Sequence, residues 1–124
     1  MNTALIMLGS NSQPVINLAL AKEKLALYFQ IESCGNELIT ASVGGHYLSP
    51  FTNIAMKVLT SHSQVEAKLL LKKIEMEMGR TQDCKQQGVI PIDIDLIFWN
   101  ENLVHRDYIR FPFVKSCIDQ LKGH

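Results

Sequence analysis

The chain has 124 residues, 47% hydrophobic and 19% charged, a composition typical of one compact domain rather than of a disordered protein. Its 12 basic and 12 acidic residues give a formal net charge of +0, so no overall field attracts nucleic acid or an anionic membrane. The three cysteines fit neither a disulfide framework nor a zinc signature, and the N-terminus has no signal-like or membrane-spanning run, so we expect a cytoplasmic protein.

The first half of the chain predicts a strand, a helix and two further strands. An apolar run at residues 3–8 is followed by GSN, letters that favour a turn. Pro14 can begin a helix, and apolar residues recur at helical spacing up to about Phe29. Strand-like stretches at residues 31–43 and 51–60 flank the loop GGHYLSP, which indicates antiparallel strands.

The second half predicts another helix, a loop and a last major strand. Ser63 and Glu66 have the spacing of a capping box, and the helical period continues to Gly79. The next stretch, RTQDCKQQGVI, has no clear period and predicts a surface loop, which leads into the apolar run GVIPIDIDLIFWN. The remaining residues predict a short strand and a final helical turn.

Two alternations of strand and helix, combined with antiparallel pairings, predict an α+β fold. The specific expectation is a ferredoxin-like α/β sandwich with a mainly antiparallel sheet. We expect residues 1–124 to form a single domain, since the chain has no repeats, low-complexity tracts or linker.

Two aspartates lie inside the apolar run of residues 88–100. Because side chains alternate between the faces of a strand, Asp93 and Asp95 point to one face and their apolar neighbours to the other. Two ionised carboxylates this close repel each other, and a hard cation such as Mg²⁺ relieves the repulsion. The alternative is a half-exposed strand that carries two solvated aspartates, because D-x-D is a short and common pattern.

A series of short motifs occurs in order along the chain: GSN, SVG followed by FTNIAM, IEMEMGR and IDIDLIFWN. This series resembles the hydroxymethyldihydropterin pyrophosphokinases of folate biosynthesis. That family typically shows GSN, T-x-x-x-G, F-x-N, I-E-x-x-x-G-R and D-x-D-L. The resemblance covers about Ala4 to Pro112, and the ordered combination is much more specific than any single motif.

The resemblance implies an ATP-dependent diphosphotransferase. In that family the paired aspartates bind two Mg²⁺ ions that bridge ATP to the pterin alcohol, which makes Asp93 and Asp95 the expected catalytic and metal-binding residues. The β,γ-diphosphoryl group moves to 6-hydroxymethyl-7,8-dihydropterin, and AMP leaves. ATP and this pterin are therefore the expected partners, with no nucleic acid or membrane among them.

The resemblance also implies a pterin pocket on one loop and the strand after it. The matching residues are Thr40, Val43, Gly44, Phe51 and Asn53. An aromatic ring can stack on the pterin bicycle, and an asparagine amide offers both donors and an acceptor to its edge. Without the resemblance, a turn, a core phenylalanine and a strand asparagine would explain the same residues.

The nucleotide is expected beside Glu75 and Arg80, which match the I-E-x-x-x-G-R motif. The alternative is that Glu75 lies on a solvated helix face and that Arg80 favours the negative end of the helix dipole. Arg110 is expected to supply further positive charge to the nucleotide.

The chain departs from the family pattern at several positions. Ile90 and Phe113 stand where the family has an arginine and a histidine, and Gln82 and Gln87 stand where it has a second arginine and a loop tryptophan. We also expect the C-terminal segment to be shorter than in the family. These differences leave open a paralogue that binds pterin or nucleotide without turnover, or an interaction domain without a small-molecule site.

The four histidines, His46, His62, His105 and His124, share no spacing typical of metal ligands. We therefore expect them to be surface or satisfied polar residues.

Overall fold

The computed structural model describes residues 1–41 and 49–122, but not the side chain of Lys85. These residues form the elements β1 (Asn2–Ser10), α1 (Pro14–Tyr28), β2 (Gln30–Cys34), β3 (Leu38–Thr40), β4 (Phe51–Thr60), α2 (Gln64–Glu77), α3 (Gln82–Gln87), β5 (Asp93–Trp99), β6 (Asn102–Leu103), α4 (Asp107–Arg110) and α5 (Pro112–Lys122). Of the helices in this described part, none has the length and apolar character to cross a membrane.

The strands form a single sheet with the order β2-β4-β1-β5-β6, and β3 also pairs with β4. Every described strand pair is antiparallel. The unit β1-α1-β2 is split by β4, which lies between its two strands, and the unit β4-α2-β5 is split by β1 in the same way. The predicted α+β class and ferredoxin-like, mainly antiparallel sheet are therefore confirmed.

The two faces of the sheet are covered by different helices. Along β1, Ala4, Ile6 and Leu8 belong to the core formed with α1 and α2, whereas Leu5 and Met7 belong to a second core formed with α5. Each fully buried aliphatic side chain stabilises the fold by about 1.5–3 kcal/mol. The result is three layers, with helices on both faces of the sheet.

The helix starts follow local sequence signals. Pro14 begins α1, as predicted. The predicted capping box of α2 is formed, because Glu66 N–H donates to Ser63 Oγ at 3.2 Å and Ser63 N–H donates to Glu66 Oε1 at 2.9 Å. Gly79, with φ +91°, follows the end of α2 in a conformation that favours glycine.

Three local predictions differ from the structure. The strand-like stretch from residue 31 is divided into β2 and β3, and residues 82–87 form α3 instead of a loop. Six residues are too short to show a helical period, which explains the missed α3. The last segment was expected to be one helical turn, but α5 has 11 residues and covers the second face of the sheet.

Candidate active site

Three neighbouring strands each place one residue in a row near one end of the sheet. Gly9 of β1 pairs with Asn53 of β4 on one side and with Asp93 of β5 on the other. Residues directly opposite each other in antiparallel strands point to the same face. Since neighbouring strands are about 4.8 Å apart, Asn53 and Asp93 lie on one face of the sheet, about 10 Å from each other, with Gly9 between them.

Gly9 leaves the middle of this row without a side chain. A Cβ atom at this position would lie 3.1 Å from Asn53 Oδ1 and 3.6 Å from Cδ1 of Phe51. The first distance is shorter than an ordinary contact with a carbon atom, so a larger residue would push against Asn53. Besides preceding the predicted turn, this glycine therefore keeps the space between Asn53 and Asp93 open.

Another residue of the GSN motif, Asn11, fixes the segment that leads into β5. Its side chain accepts a hydrogen bond from Ile90 N–H at 2.6 Å and donates one to the carbonyl of Gly88 at 2.8 Å. The backbone N–H of Asn11 also donates to the carbonyl of Ile90 at 3.1 Å. Asn11 and Ile90 are both buried. Ile90, where the resembling family has an arginine, is therefore part of the buried scaffold.

Three of the predicted pterin-binding residues come together on β3 and β4. Thr40 pairs with Phe51, and Asn53 Nδ2 donates to Thr40 Oγ1 at 2.9 Å and to a β3 carbonyl at 3.0 Å. Because the N–H groups of Asn53 are engaged in this way, its Oδ1 is the atom it can offer to a ligand. The other two predicted residues, Val43 and Gly44, lie outside the described residues.

Arg80 connects the end of α2 to the strand that carries the aspartates. Its Nη1 lies 3.0 Å from Glu75 Oε2 and 3.2 Å from the carbonyl of Ile92, and it also donates to Asp93 Oδ1. On the other side, the N–H of Ile94 donates to Glu75 Oε2 at 2.7 Å. Glu75 and Arg80 therefore hold the first residues of β5 in place.

Glu75 does not lie on a solvated helix face, because only 6% of its side chain is exposed. Burial raises the pKa of Glu75, although the hydrogen bond from Ile94 and the charge of Arg80 both act to lower it. The alternative explanation of Glu75 as a solvated residue is therefore wrong.

Asp95 lies on the same face as Asp93, with less compensation for its charge. Burial, followed by the negative charge of Asp93, raises the pKa of Asp95 to about 8. Arg80 pairs with Asp93, but among the described side chains no lysine or arginine forms an ion pair with Asp95. Asp95 is thus the less compensated of the two carboxylates, and a bound cation would offset both its burial and its repulsion by Asp93.

His105 lies beside Asp95, in a position that its isolated place in the sequence did not indicate. Its Nε2 is 3.8 Å from Asp95 Oδ1, and its Nδ1 is 3.7 Å from Asp107 Oδ2. The N–H of Asp107 donates to His105 Nδ1 at 3.1 Å. The expectation of an ordinary surface or satisfied histidine therefore missed a contact with the candidate site.

The β5–β6 hairpin explains this contact. Phe98 pairs with Leu103 across a two-residue turn, and Val104 N–H donates to the carbonyl of Ile97 at 2.9 Å. The chain therefore continues alongside β5 after β6 ends, which brings His105 back to the level of Asp95. The turn letters NE between two apolar runs were the sequence signal that could have located His105.

Arg110 is exposed at the end of α4, and its guanidinium lies 4.9 Å from the centre of the Phe111 ring. In residues 1–41 and 49–122, no described hydrogen bond or ion pair joins it to either aspartate. Phe113, where the resembling family has a histidine, packs against the second core with its ring 5.9 Å from that of Phe111. The structure therefore brings Arg80 to the aspartates, and gives no such contact for Arg110.

Comparison with known proteins gives a family for this arrangement. The family described as 7,8-dihydro-6-hydroxymethylpterin-pyrophosphokinase (HPPK) matches residues 5–122. The chain is 31% identical over 113 residues to the 2-amino-4-hydroxy-6-hydroxymethyldihydropteridine pyrophosphokinase of Aquifex aeolicus, covering 90% of this chain and 70% of that protein. It is also 34% identical over 62 residues to the folate synthesis bifunctional protein of Arabidopsis thaliana, covering 50% of this chain and 13% of that protein.

A solved structure has the same fold. The crystal structure of HPPK-DHPS from Plasmodium falciparum matches with a TM-score of 0.55 and 13% sequence identity, over 98% of this chain and 35% of that one. This chain therefore corresponds to about a third of the length of that structure.

Proposed function

This chain belongs to the 7,8-dihydro-6-hydroxymethylpterin-pyrophosphokinase family, and we propose on that basis that it transfers diphosphate from ATP to 6-hydroxymethyl-7,8-dihydropterin and releases AMP. The observation that carries the proposal is the row Asn53-Gly9-Asp93. We infer that the pterin lies over the side-chain-free position of Gly9, next to the pair of carboxylates on the same face of the sheet.

The pterin is proposed to bind at the β4 end of this row. Phe51 offers a ring on which the bicycle can stack, and Asn53 Oδ1 can accept hydrogen bonds from the pterin edge. Thr40 would act through Asn53, because it accepts the hydrogen bond that orients the amide. Val43 and Gly44 are proposed to complete the pocket from the preceding loop.

The metal ions are proposed to bind at Asp93 and Asp95. The donor set fits Mg²⁺, because both carboxylates are hard oxygen ligands, partly exposed, and close enough for their charges to oppose each other. Two Mg²⁺ ions bound there would neutralise the triphosphate and align it with the pterin alcohol. The protein's own contribution is to keep the two carboxylates at the fixed spacing of one strand face.

Arg80 is proposed to contact the nucleotide while it holds Asp93. The three described side-chain hydrogen bonds of Arg80 all use Nη1, and a guanidinium carries five N–H donors in a fork. The same group can therefore donate to a phosphate oxygen. Glu75 would support the nucleotide site by orienting Arg80. Arg110 is proposed to contact the nucleotide only in the nucleotide-bound protein.

The test is an AMP assay with purified protein, ATP, Mg²⁺ and the pterin alcohol. We expect AMP to form only when all components are present, and we expect Asp95→Ala to lower the rate at least about 100-fold. Asp119→Ala is the matched control, because Asp119 pairs with Lys115 on the exposed side of α5. No AMP from the wild type at saturating substrates would reject the proposal, and calorimetric pterin binding without AMP would instead select the binding-only alternative.

A cytoplasmic location is proposed as well. Cys34, Cys84 and Cys117 are all free thiols in the described structure, as is usual in a reducing compartment.

A further inference from the structure

We propose that Asp95 and His105 together bind one divalent transition-metal ion in the absence of nucleotide, with Asp107 orienting the imidazole. The ion would be of the Mn²⁺ or Zn²⁺ class, not Mg²⁺. This inference shares Asp95 with the proposed function, but it concerns a nitrogen ligand and a site that needs neither substrate.

The geometry supplies the ligands. Asp95 Oδ1 and His105 Nε2 are 3.8 Å apart, and one ligand atom from each of Asp95, His105 and Asp107 can be chosen so that all lie within 4.8 Å of one another. An ion with bonds of about 2.0–2.2 Å separates its ligands by about 3–4.4 Å, so Asp95 and His105 can share one ion without a backbone change.

The surrounding charges direct the ion to Asp95. Asp93 already receives the guanidinium of Arg80, whereas Asp95 interacts with Arg80 only through its charge and without an ion pair. The other described titratable neighbours of Asp95 are Asp93, Glu75, Asp107 and His105. Three of these five neighbours are acidic and one is a permanent cation. A dication between Asp95 and the neutral nitrogen of His105 compensates this excess of carboxylates.

Asp107 fits the role of the partner that orients a ligating histidine. Its N–H now donates to Nδ1, so the proton of the neutral ring lies on Nε2, facing Asp95. When an ion binds Nε2, that proton is released to solvent and Nδ1 takes one up from solvent, so Nδ1 gives up the hydrogen bond from Asp107 N–H and the ring turns its Nδ1–H towards the Asp107 carboxylate. The Asp107 carboxylate, 3.7 Å from Nδ1, is placed to accept this Nδ1–H.

The ligand types decide which ion is preferred. Mg²⁺ favours oxygen ligands alone, whereas imidazole nitrogen favours first-row transition metals. The pair of Asp95 and His105 therefore selects against Mg²⁺ before ATP arrives.

The test uses the whole chain, without nucleotide, and Mn²⁺ as the probe. Free Mn²⁺ is followed by electron paramagnetic resonance during a titration, and pulsed measurements detect ¹⁴N coupling from a bound imidazole. We expect one Mn²⁺ per chain with ¹⁴N coupling, displaced by Mg²⁺ only in large excess. Absence of Mn²⁺ binding, or equal competition by Mg²⁺, overturns the proposal.

Variants assign the ligands. His105→Ala should remove the ¹⁴N coupling and weaken Mn²⁺ binding at least tenfold, while Asp107→Ala should keep the coupling and weaken binding about 10–100-fold. His62→Ala is the matched control, since His62 Nδ1 lies 3.9 Å from the Glu66 carboxylate and, among the described residues, the two have no third candidate ligand nearby. If His105→Ala disturbs the circular dichroism spectrum, His105→Gln retains the side-chain volume and replaces it in the test.

The assignment of His105 as a ligand is overturned if ¹⁴N coupling persists in the His105 variants or is lost in His62→Ala. The assignment of Asp95 as a ligand and Asp107 as an orienting residue is overturned if Asp107→Ala abolishes Mn²⁺ binding while Asp95→Asn changes it little. AMP formation is scored separately. Mn²⁺ binding of the expected kind without AMP formation would uphold this site and reject the proposed function. AMP formation by the wild type, with Mn²⁺ binding unchanged in His105→Ala, would uphold the proposed function and reject this site.

Discussion

The side-chain oxygen of Asn53 approaches Gly9 so closely that a Cβ atom on residue 9 would lie 3.1 Å from it. No positive φ is required at Gly9, so alanine can adopt the backbone conformation and loses less conformational entropy on folding. The two effects act on different properties. Crowding narrows the space in which the pterin is proposed to bind, whereas the backbone effect changes the free energy of unfolding.

Gly9→Ala is therefore expected to weaken pterin binding at least about tenfold, which is about 1.4 kcal/mol, while the free energy of unfolding changes by less than about 1 kcal/mol. Calorimetry with the pterin and urea unfolding measure the two quantities. Gly35→Ala is the control, because its Cβ would meet the Ala55 carbonyl oxygen at an ordinary 3.5 Å. Unchanged pterin affinity in Gly9→Ala would show that this space is not the pterin site.

Asp95 should make stability depend on pH in the metal-free protein. Its pKa in the fold, about 8, lies above the unfolded value near 3.8, so the folded state binds the proton more tightly. The contribution of protonated Asp95 to the free energy of unfolding is fully present below about pH 4 and is lost as the pH rises towards 8. We expect Asp95→Asn to be more stable than the wild type by a margin that grows over this range. Thermal unfolding at several pH values, with chelator present, measures the margin, and a pH-independent margin would contradict the assignment.

Arg80 should stabilise the fold through Glu75. Arg80→Met leaves a buried carboxylate without its partner, which is expected to cost about 2–3 kcal/mol in the free energy of unfolding, less than for a fully buried pair because Arg80 is 28% exposed. Combining it with Glu75→Gln should recover part of the loss. Lys72→Met serves as the control, since Lys72 is exposed and forms a looser ion pair with Glu75, at 4.0 Å. Its loss should lower the free energy of unfolding by less than about 0.5 kcal/mol. Urea unfolding at pH 7 measures the free energy of unfolding of the three single variants and of the double variant. Additive losses in the double variant would argue against coupling between Arg80 and Glu75.

Asn11 should hold the backbone that precedes the aspartates. Asn11→Ala removes the acceptor of the Ile90 N–H and the donor to the Gly88 carbonyl, leaving two buried polar groups unpaired. We expect a loss of about 2–4 kcal/mol and faster hydrogen exchange at the Ile90 amide. Asn17→Ala, which also removes a side-chain hydrogen bond to backbone, the one to Ser12 O at 2.6 Å, should leave that exchange rate unchanged. Equal exchange at Ile90 in both variants would mean that Asn11 does not hold this segment.

The features that could be predicted from sequence are those set by short-range geometry. Alternation along β5 placed Asp93 and Asp95 on one face, and the Ser63–Glu66 spacing located the start of α2. The ordered motifs identified the family, because each motif keeps its own local spacing.

The features that could not be predicted depend on register between distant segments. Gly9 meets Asn53 and Asp93 only because of the pairing of β1 with β4 and β5, over separations of 44 and 84 residues. The contact between Arg80 and Asp93 likewise depends on how α2 packs on β5. By contrast, α5 was underestimated although its signal was present in the sequence, since Val114, Cys117, Ile118 and Leu121 have helical spacing.

The length of the turn between β5 and β6 determines whether His105 lies beside Asp95. Asn100, with φ 55°, and Glu101 form the whole connection between the paired residues Trp99 and Asn102. Inserting one glycine there would shift the returning segment by one position and turn His105 towards the other face, while both aspartates stayed where they are. A single inserted residue, with no ligand substituted, would thus convert a mixed nitrogen and oxygen environment into one of oxygen alone. Homologous chains that differ only in the length of this turn should accordingly differ in the metal they prefer.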